Sequence, residues 1–459
     1  MKKILPFTLF WISLIGFAQC PTNVVYLETQ ADIDNFAANY PNCSTLMNDV
    51  WIGTESNDIT NLNGLASITS AQNIYMRFAQ NSDFSGLNNL EDAVELSIWF
   101  NNNMQNLDGL TSLQTVGRLH IFVSSSLTDL SGMDNIETIE NLNLFSNPAL
   151  TDISQLSFLE TINSLEIRNN ALNSLNGLEN LHTVFQDLAI SNEPLENFNE
   201  LLSLQTIGGS LSITNNMLVN DVTAFSNIES LEELYIVGCP SLSNFSGFEN
   251  IQNITGRLRI GFNTTLADMS VFSNLSSVGD LDIYDNDNLV SLSGLENLQV
   301  VNNRFFVSRN ISLTSIDAIN DLSVSPINQV AVINNSSLAI CNNLFMCTVI
   351  DDPIILKSIY NNNIGCNTIQ EVEMSCALSV SDRVLSESIK VYPNPVSSIL
   401  QLDVSEGIIL ERIAVFSILG QQLIHSTDGF LNFSNLSQGV YFVEVITDQG
   451  RVTKKVLKE

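Results

Sequence analysis

Three histidines, His120, His182 and His425, seven cysteines and 49 acidic residues are the side chains of this 459-residue chain whose types could do chemistry. Nucleophilic catalysis needs a base within hydrogen-bond reach of a hydroxyl or thiol, and a zinc centre needs three or four ligands at defined spacing. The histidines are far apart in sequence, and the chain has no His-Glu-x-x-His, Gly-x-x-x-x-Gly-Lys or Gly-x-Ser-x-Gly run. Paired carboxylates across turns, as in a β-helical polysaccharide-degrading enzyme, are the competing reading, with a structural surface spacer as another, but acidic residues are so numerous that chance pairs are expected. Tyr284-Asp285-Asn286-Asp287-Asn288 is dense in oxygen ligands for Ca²⁺ yet lacks the EF-hand pattern. The expectation is a non-enzymatic protein without cofactor or bound metal.

The cysteines point to covalent staples. Met1–Ala18 reads as a secretory leader, with Lys2 and Lys3 at its start, apolar Ile4–Ile15, and small Gly16 and Ala18 before the cleavage point. Exported chains meet an oxidising compartment, where thiols pair. Cys20 and Cys43 stand together at the start, and a bridge between them would fasten an N-terminal cap containing a short helix over Ala31–Tyr40. Cys341, Cys347, Cys366 and Cys376 cluster near the end, with helix-compatible Pro353–Tyr360 and Thr368–Met374 between them. These four can pair in three ways. A zinc site is the competing reading, but paired Cys-x-x-Cys knuckles are missing, so disulfides are expected with open connectivity.

Between the cysteine clusters a short apolar alternation recurs. Its leading residue falls at Val50, Ile74, Leu96, Leu119, Leu142, Leu165, Leu188, Leu211, Leu234, Leu258, Leu281, Phe305 and Val330, at intervals of 22 to 25. Such a period marks a solenoid. In the unit from Leu119 the apolar residues are Leu119, Ile121, Leu127, Leu130, Met133, Ile136 and Ile139. One step of two and then, from Leu127, steps of three predict a strand followed by tight coils, with every one of these side chains inside. Five positions after the leading residue stand Asn101, Asn147, Asn170, Asn216, Asn263, Asn286, Asn310 and Asn335, with Cys239 in the same place. An inward Asn there satisfies buried backbone groups at the bend of its own and the adjacent unit, forming a ladder. Ala79, Ser124 and Glu193 replace it in three units, and Asn328 and Gln329 mark an irregular final one, so looser or bulged coils are expected there.

The positions between and after the two inward strand residues must face outward. They include Trp51, Tyr75, Arg77, Trp99, His120, Phe122, Phe145 and Arg168, and further on Tyr235, Arg259, Tyr284 and Phe306. Stacking at about 4.8 Å per strand would align the first aromatics into a continuous strip. Exposed aromatics flanked by Arg are common at recognition surfaces. The expected partner is therefore a protein or a glycan, met on the strand face.

The units Asn106-Leu107-Asp108-Gly109-Leu110-Thr111-Ser112-Leu113-Gln114-Thr115-Val116 and Ser291-Leu292-Ser293-Gly294-Leu295-Glu296-Asn297-Leu298-Gln299-Val300-Val301 resemble leucine-rich repeats of the receptor L-domain-like type, over about residues 43–340. After 377–389, a Ser-rich linker, short β-like runs at Ile399–Val404, Ile413–Ser417, Gln422–His425, Val440–Ile446 and Val452–Leu457 predict a small antiparallel sandwich. Val391-Tyr392-Pro393-Asn394-Pro395, Leu419-Gly420-Gln421, Leu436-Ser437-Gln438-Gly439-Val440-Tyr441 and Lys454-Lys455 resemble the type A C-terminal sorting domain of the type IX secretion system. That resemblance implies export across an outer membrane of Bacteroidetes type by the secretion machinery, usually with removal of the domain.

The expected fold is thus mainly β: a right-handed parallel leucine-rich-repeat solenoid with disulfide-bonded caps, then an antiparallel sandwich. The expected boundaries are 1–18 leader, 19–49 cap, 50–340 solenoid, 341–376 cysteine cap, 377–389 linker and 390–459 sorting domain. No segment has the roughly 18 consecutive apolar residues of a membrane helix. The net charge is −32, and residues 390–459, with six basic and seven acidic side chains, contribute almost none of it. A solenoid this acidic repels phosphate backbones, which excludes nucleic acid as a partner.

Overall fold

The structure, a computed structural model, describes residues 20–376, 385 and 388–459, apart from 56, 57, 406, 419 and 449. The leader and most of the expected linker lie outside the described residues. Residues 20–376 wind into a coil whose strands stack into a 16-stranded sheet, every pair along it parallel. The predicted leading residues pair with one another in register: Val50 with Ile74, Leu96 with Leu119, Leu119 with Leu142, Leu165 with Leu188, Phe305 with Val330.

The sheet runs one strand further at each end than the repeat in the sequence. Val25–Leu27 lies against the Val50 strand, and Leu356–Tyr360 against the Val330 strand. The second is a correction: part of Pro353–Tyr360, expected to be helix-compatible, is the last strand of the sheet. A helix stands before it, at Leu344–Asp351, capped by the Asn343 side chain on the Met346 N–H at 2.9 Å, and residues 369–376 are helical, as expected over Thr368–Met374. At the other end the helix Gln30–Asn39 is where expected, started by Thr29, whose side chain accepts from the Asp32 N–H while the Asp32 carboxylate accepts from the Thr29 N–H.

Each turn of the coil contributes to one continuous core from Leu27 to Cys376. All seven apolar residues named above for the Leu119 unit are at most 2% exposed. Phe198, Phe225, Phe248 and Phe272 add a run of buried rings through successive turns, with centroids 5.4, 5.8 and 6.4 Å apart. Close stacking also explains the recurrent glycine of Asp108-Gly109 and Ser293-Gly294. A Cβ on Gly109 would stand 2.2 Å from the Phe84 carbonyl, and one on Gly294 2.0 Å from that of Met269; both residues also have positive φ.

A sharp corner follows every regular strand. Phe78, Phe100, Val123, Ser146, Asn169, Asn192, Asn215, Phe262, Asp285, Arg309, Asn334 and Asn361 adopt φ of 53° to 59°. This left-handed conformation costs an L-residue about 1–2 kcal/mol, so the corner must be held from outside. The side chain of the next residue turns inward and does so. Asn101 Nδ2 donates to the Met76 carbonyl at 2.9 Å while its Oδ1 accepts from the Ala79 N–H at 2.8 Å. Asn263, Asn286, Asn310 and Asn335 continue the pattern, each backbone N–H donating to the Oδ1 of the next turn at 3.0–3.1 Å, except that Asn335 donates at 2.9 Å to Asn362. Asn362, beyond the recognisable repeat, closes the column.

The turns with other residues at this position keep the backbone bond to the following turn, although the Ser124 hydroxyl is buried without a partner among the described residues. Ala79, Ser124 and Glu193 each donate a backbone N–H to the next Asn, at 2.8, 3.0 and 3.0 Å. The looseness expected there is absent because the bond is supplied by the following turn. Register shifts occur instead earlier in the strands, between Leu46 and Asp49, Ile254 and Arg257, and Val278 and Asp280. The Cys239 thiol is 3.8 Å from the Ile213 carbonyl, and burial pushes it up to about 11, so it stays protonated.

Glu193 places a carboxylate in the column. Its oxygens accept from the Asn170 N–H at 2.7 Å, from Asn170 Nδ2 at 3.0 Å and from the Leu172 N–H at 3.1 Å. Burial nevertheless raises its pKa above the usual 4.5.

Cysteine pairing is Cys20–Cys43, Cys341–Cys366 and Cys347–Cys376. The first ties the N-terminal segment to the start of the sheet, and the other two tie the Leu344–Asp351 helix and the last strand's surroundings together.

Residues 389–459 form two antiparallel sheets with their own core. One contains Ile389–Tyr392, Ile399–Val404 and Phe430–Asn432; the other Gln422–Ser426, Leu410–Ser417, Gly439–Thr447 and Gly450–Lys458. Ile389, Leu400 and Leu431 of the first pack with Ile413, Val415, Val443, Val445 and Val456 of the second.

Two outcomes follow for the column. Replacing Asn286 by Ala strands the Asn263 N–H and the Ile260 carbonyl, which it bonds at 3.1 Å each. At about 1–3 kcal/mol per buried unpaired group, urea unfolding of the variant is expected to show a loss of about 3 kcal/mol. For Glu193 the sign is set by the raised value: the ionised form is disfavoured in the fold, so its penalty is absent below the ordinary Glu value and complete above the raised one. The stability of Glu193→Gln relative to the natural protein is expected to rise with pH across that window, read from melting temperatures of the two proteins at matched pH.

Candidate functional site

Strand alternation sends every second side chain out of the sheet, and the unbroken register aligns those side chains into columns. Trp51 pairs with Tyr75 in one column, and Arg77, Trp99, Phe122, Phe145 and Arg168 succeed one another in the column two residues further on. Their rings touch in series. Centroid separations are 4.4 Å for Trp51–Tyr75, 5.9 Å for Tyr75–Trp99, 6.5 Å for Trp99–Phe122 and 6.2 Å for Phe122–Phe145. Arg77 lies over Trp51 at 5.2 Å, and His120 meets Phe122 edge-on at 5.6 Å. The aromatic residues are half-buried by one another, apart from exposed Phe145.

Arg168 ends the row and pairs with Glu166 at 2.6 Å. Burial lowers the His120 pKa below 6.5, so its ring is uncharged at neutral pH. The row also begins one strand earlier than the repeat indicates. Tyr26 pairs with Trp51 across the first two strands and is 60% exposed. Sequence reasoning missed it because Val25-Tyr26-Leu27 lies outside the period and is too short to show alternation. A second aromatic pair, Phe78 and Phe100, stacks at 5.2 Å on the left-handed corner beside the row.

Further along the face the chemistry changes to charge pairing. Asp282, only 2% exposed, receives Arg259 at 3.1 Å and Arg304 at 2.5 Å, while Arg257 binds Asp280 at 2.9 Å. These guanidiniums are held by carboxylates of neighbouring turns, and desolvation is offset by several bonds per group. The Asp285 carboxylate of the oxygen-rich run is likewise engaged by Arg309 at 2.6 Å, and Asn286 is inside the column. Among the described residues no group of three or more His, Cys, Asp or Glu is placed to hold a metal ion. His120 sits on a strand, His182 beside Thr183 in a coil, and His425 on a strand of the second core.

In residues 389–459 the Pro393-Asn394-Pro395 segment is pinned by its Asn. Asn394 Nδ2 donates to the Lys455 carbonyl at 3.0 Å, and its Oδ1 accepts from the Leu457 N–H at 2.8 Å. Tyr441 donates its hydroxyl to the Ser437 carbonyl at 2.8 Å. Gly420 turns between two strands with φ of 78°, Gly439 opens the strand carrying Tyr441, and Lys454 and Lys455 lie on the last strand. Asn394 thus joins the first motif segment to the last, bridging 61 residues of chain to Lys455.

A parallel β solenoid followed by a separately cored antiparallel unit is therefore the class of protein defined by this architecture. Residues 390–459 match the family described as secretion system C-terminal sorting domain. No curated protein matches the chain. The protein is exported through the type IX secretion system, to the cell surface or beyond it. No helix among the described residues is long and apolar enough to cross a membrane.

Removal of residues 390–459 is expected to leave the protein in the periplasm. Immunoblots of cell, periplasmic and medium fractions check this, and appearance of the truncated chain outside the cell would contradict it.

Proposed function

We propose that the chain is a secreted or surface-attached, non-enzymatic binding protein of the receptor L-domain-like leucine-rich-repeat kind, which recognises a protein or glycan through the strand face of its solenoid. The observation that carries the reading is the continuous row of rings from Trp51 to Phe145 on an outward sheet surface, with Arg77 stacked at one end. Aromatic and Arg side chains dominate the energetics of interfaces because they bury large area at small conformational cost. Here the rings already restrain one another, so little freedom remains to be lost on binding.

The acidic surface complements this row. A net charge of −32 keeps the exported chain soluble and repels other acidic polymers. Attraction to a partner then falls to the aromatic row and to the few polar groups beside it.

Replacing Trp99 and Phe122 together by Ala removes the middle of the row without touching the core, since both point outward. Binding of the labelled protein to the surface of its own cells is expected to fall by at least about tenfold, the equivalent of one interface anchor. Circular dichroism should be unchanged. Undiminished binding by a folded variant would place recognition elsewhere.

A further inference from the structure

The aromatic row stops at Phe145, and beyond Arg168 the sheet surface changes shape. In register with Glu166 and Arg168, the next two strands carry Ala189 and Ser191, then Ser212 and Thr214. After them comes Tyr235. Two successive turns with only small outward side chains leave a notch between taller walls, about 380 Å³ in volume, lined by Glu166, Arg168, Asp187, Ala189, Ser212 and Tyr235 among others. The walls stand three strands apart, about 14 Å at about 4.8 Å per strand.

The Tyr235 wall is rigidly held. Its hydroxyl donates to Glu233 at 2.6 Å, and the Arg259 guanidinium of the next strand lies 5.7 Å from its ring centroid. The neighbour on the other side is Ser212, too small to cover a ring, so the notch is bordered by an aromatic surface with a cation behind it. Opposite stand Glu166 and Arg168, paired to each other at 2.6 Å, with Asp187 at the edge, one of its oxygens fixed by the Ser210 N–H at 2.8 Å.

A fixed aromatic ring, hydroxyl-lined floor and carboxylates set beside it form a mixed surface. The C–H face of a saturated sugar ring suits the aromatic quadrupole. Vicinal hydroxyls suit carboxylates, which only accept hydrogen bonds. Of the charged side chains that line the notch, Glu166 and Asp187 are acidic and only Arg168 is basic, and Arg168 is already paired with Glu166, which disfavours an acidic sugar. The notch is also too polar for a purely apolar ligand. We propose that this notch is a binding site for a neutral pyranose unit of a glycan, stacked on Tyr235, with Glu166 and Asp187 accepting from its hydroxyls.

The site rests on the strand face being the recognition surface, but on residues other than the rings of the aromatic row. The test titrates the full chain calorimetrically with neutral oligosaccharides of glucose, mannose, galactose and N-acetylglucosamine, and with an oligogalacturonate as the acidic counterpart. At least one neutral oligosaccharide is expected to bind and the acidic one not. Tyr235→Ala is expected to weaken that binding by about tenfold or more. Ser212→Tyr, which fills the notch from an outward position, is expected to do the same and serves if Tyr235→Ala fails to fold. The Trp99→Ala, Phe122→Ala double variant should retain sugar binding, which separates this site from the row. Failure of every neutral sugar to bind, binding of the acidic one alone, or full binding by a folded Ser212→Tyr variant would overturn the proposal.

Discussion

The inward side chain that follows each left-handed corner is the contact on which the rest of the solenoid depends. A parallel coil must bend the chain inside its own core, where backbone N–H and carbonyl groups cannot reach water. An Asn amide donates and accepts at once, so a single side chain bonds the carbonyl of one turn and the N–H of another, as Asn286 does with Ile260 and Asn263. Corners held this way tolerate even Val123 and three phenylalanines at positive φ. Gaps in the column do not free their own corner: where Ala79 or Ser124 contributes no amide, Asn101 or Asn147 of the next turn still takes its N–H.

Uniform corners keep the register, and the register makes surface columns. One mutation on a globular surface changes one point, whereas a position in a solenoid belongs to a row whose members lie about 4.8 Å apart. Large side chains in consecutive turns therefore merge into the ridge from Trp51 to Phe145, and small ones at Ala189 and Ser212 open a notch. The Arg257, Arg259 and Arg304 network occupies the remaining stretch, its charges matched by Asp280 and Asp282 across turns. Three kinds of surface thus share one scaffold and one core.

The two ends of the sheet meet water differently from the middle. A solenoid's terminal turns have only one neighbour and need covering. The Gln30–Asn39 helix does this at the start, near the Cys20–Cys43 bridge, and at the end the last strand is followed by helical residues 369–376, tied to the Leu344–Asp351 helix by Cys347–Cys376. The sorting unit has no share in this core, since its buried residues form a cluster of their own. That independence fits a segment whose task is export rather than support of the solenoid.

The sequence alone determined the interior turns. Hydrophobic spacing, the Asn column and the outward positions of Trp99 and Phe122 all follow from a period that any reader can count, because burial demands the same residue type at the same place in each turn. Motifs around Asn394 and Tyr441 likewise mark the C-terminal unit, which residues 390–459 match as a family. Tertiary structure decided what has no period. It paired the four terminal cysteines, made Leu356–Tyr360 a strand rather than a helix, recruited Val25–Leu27 and Asn362, and kept the Ala79, Ser124 and Glu193 turns tight. In each case the deciding contact comes from a neighbouring turn about two dozen residues away, and a local pattern carries no record of that partner. The contacts among rings from Trp51 to Phe145, and the gap that isolates Tyr235, belong to the same category, because they exist only once the strands are stacked.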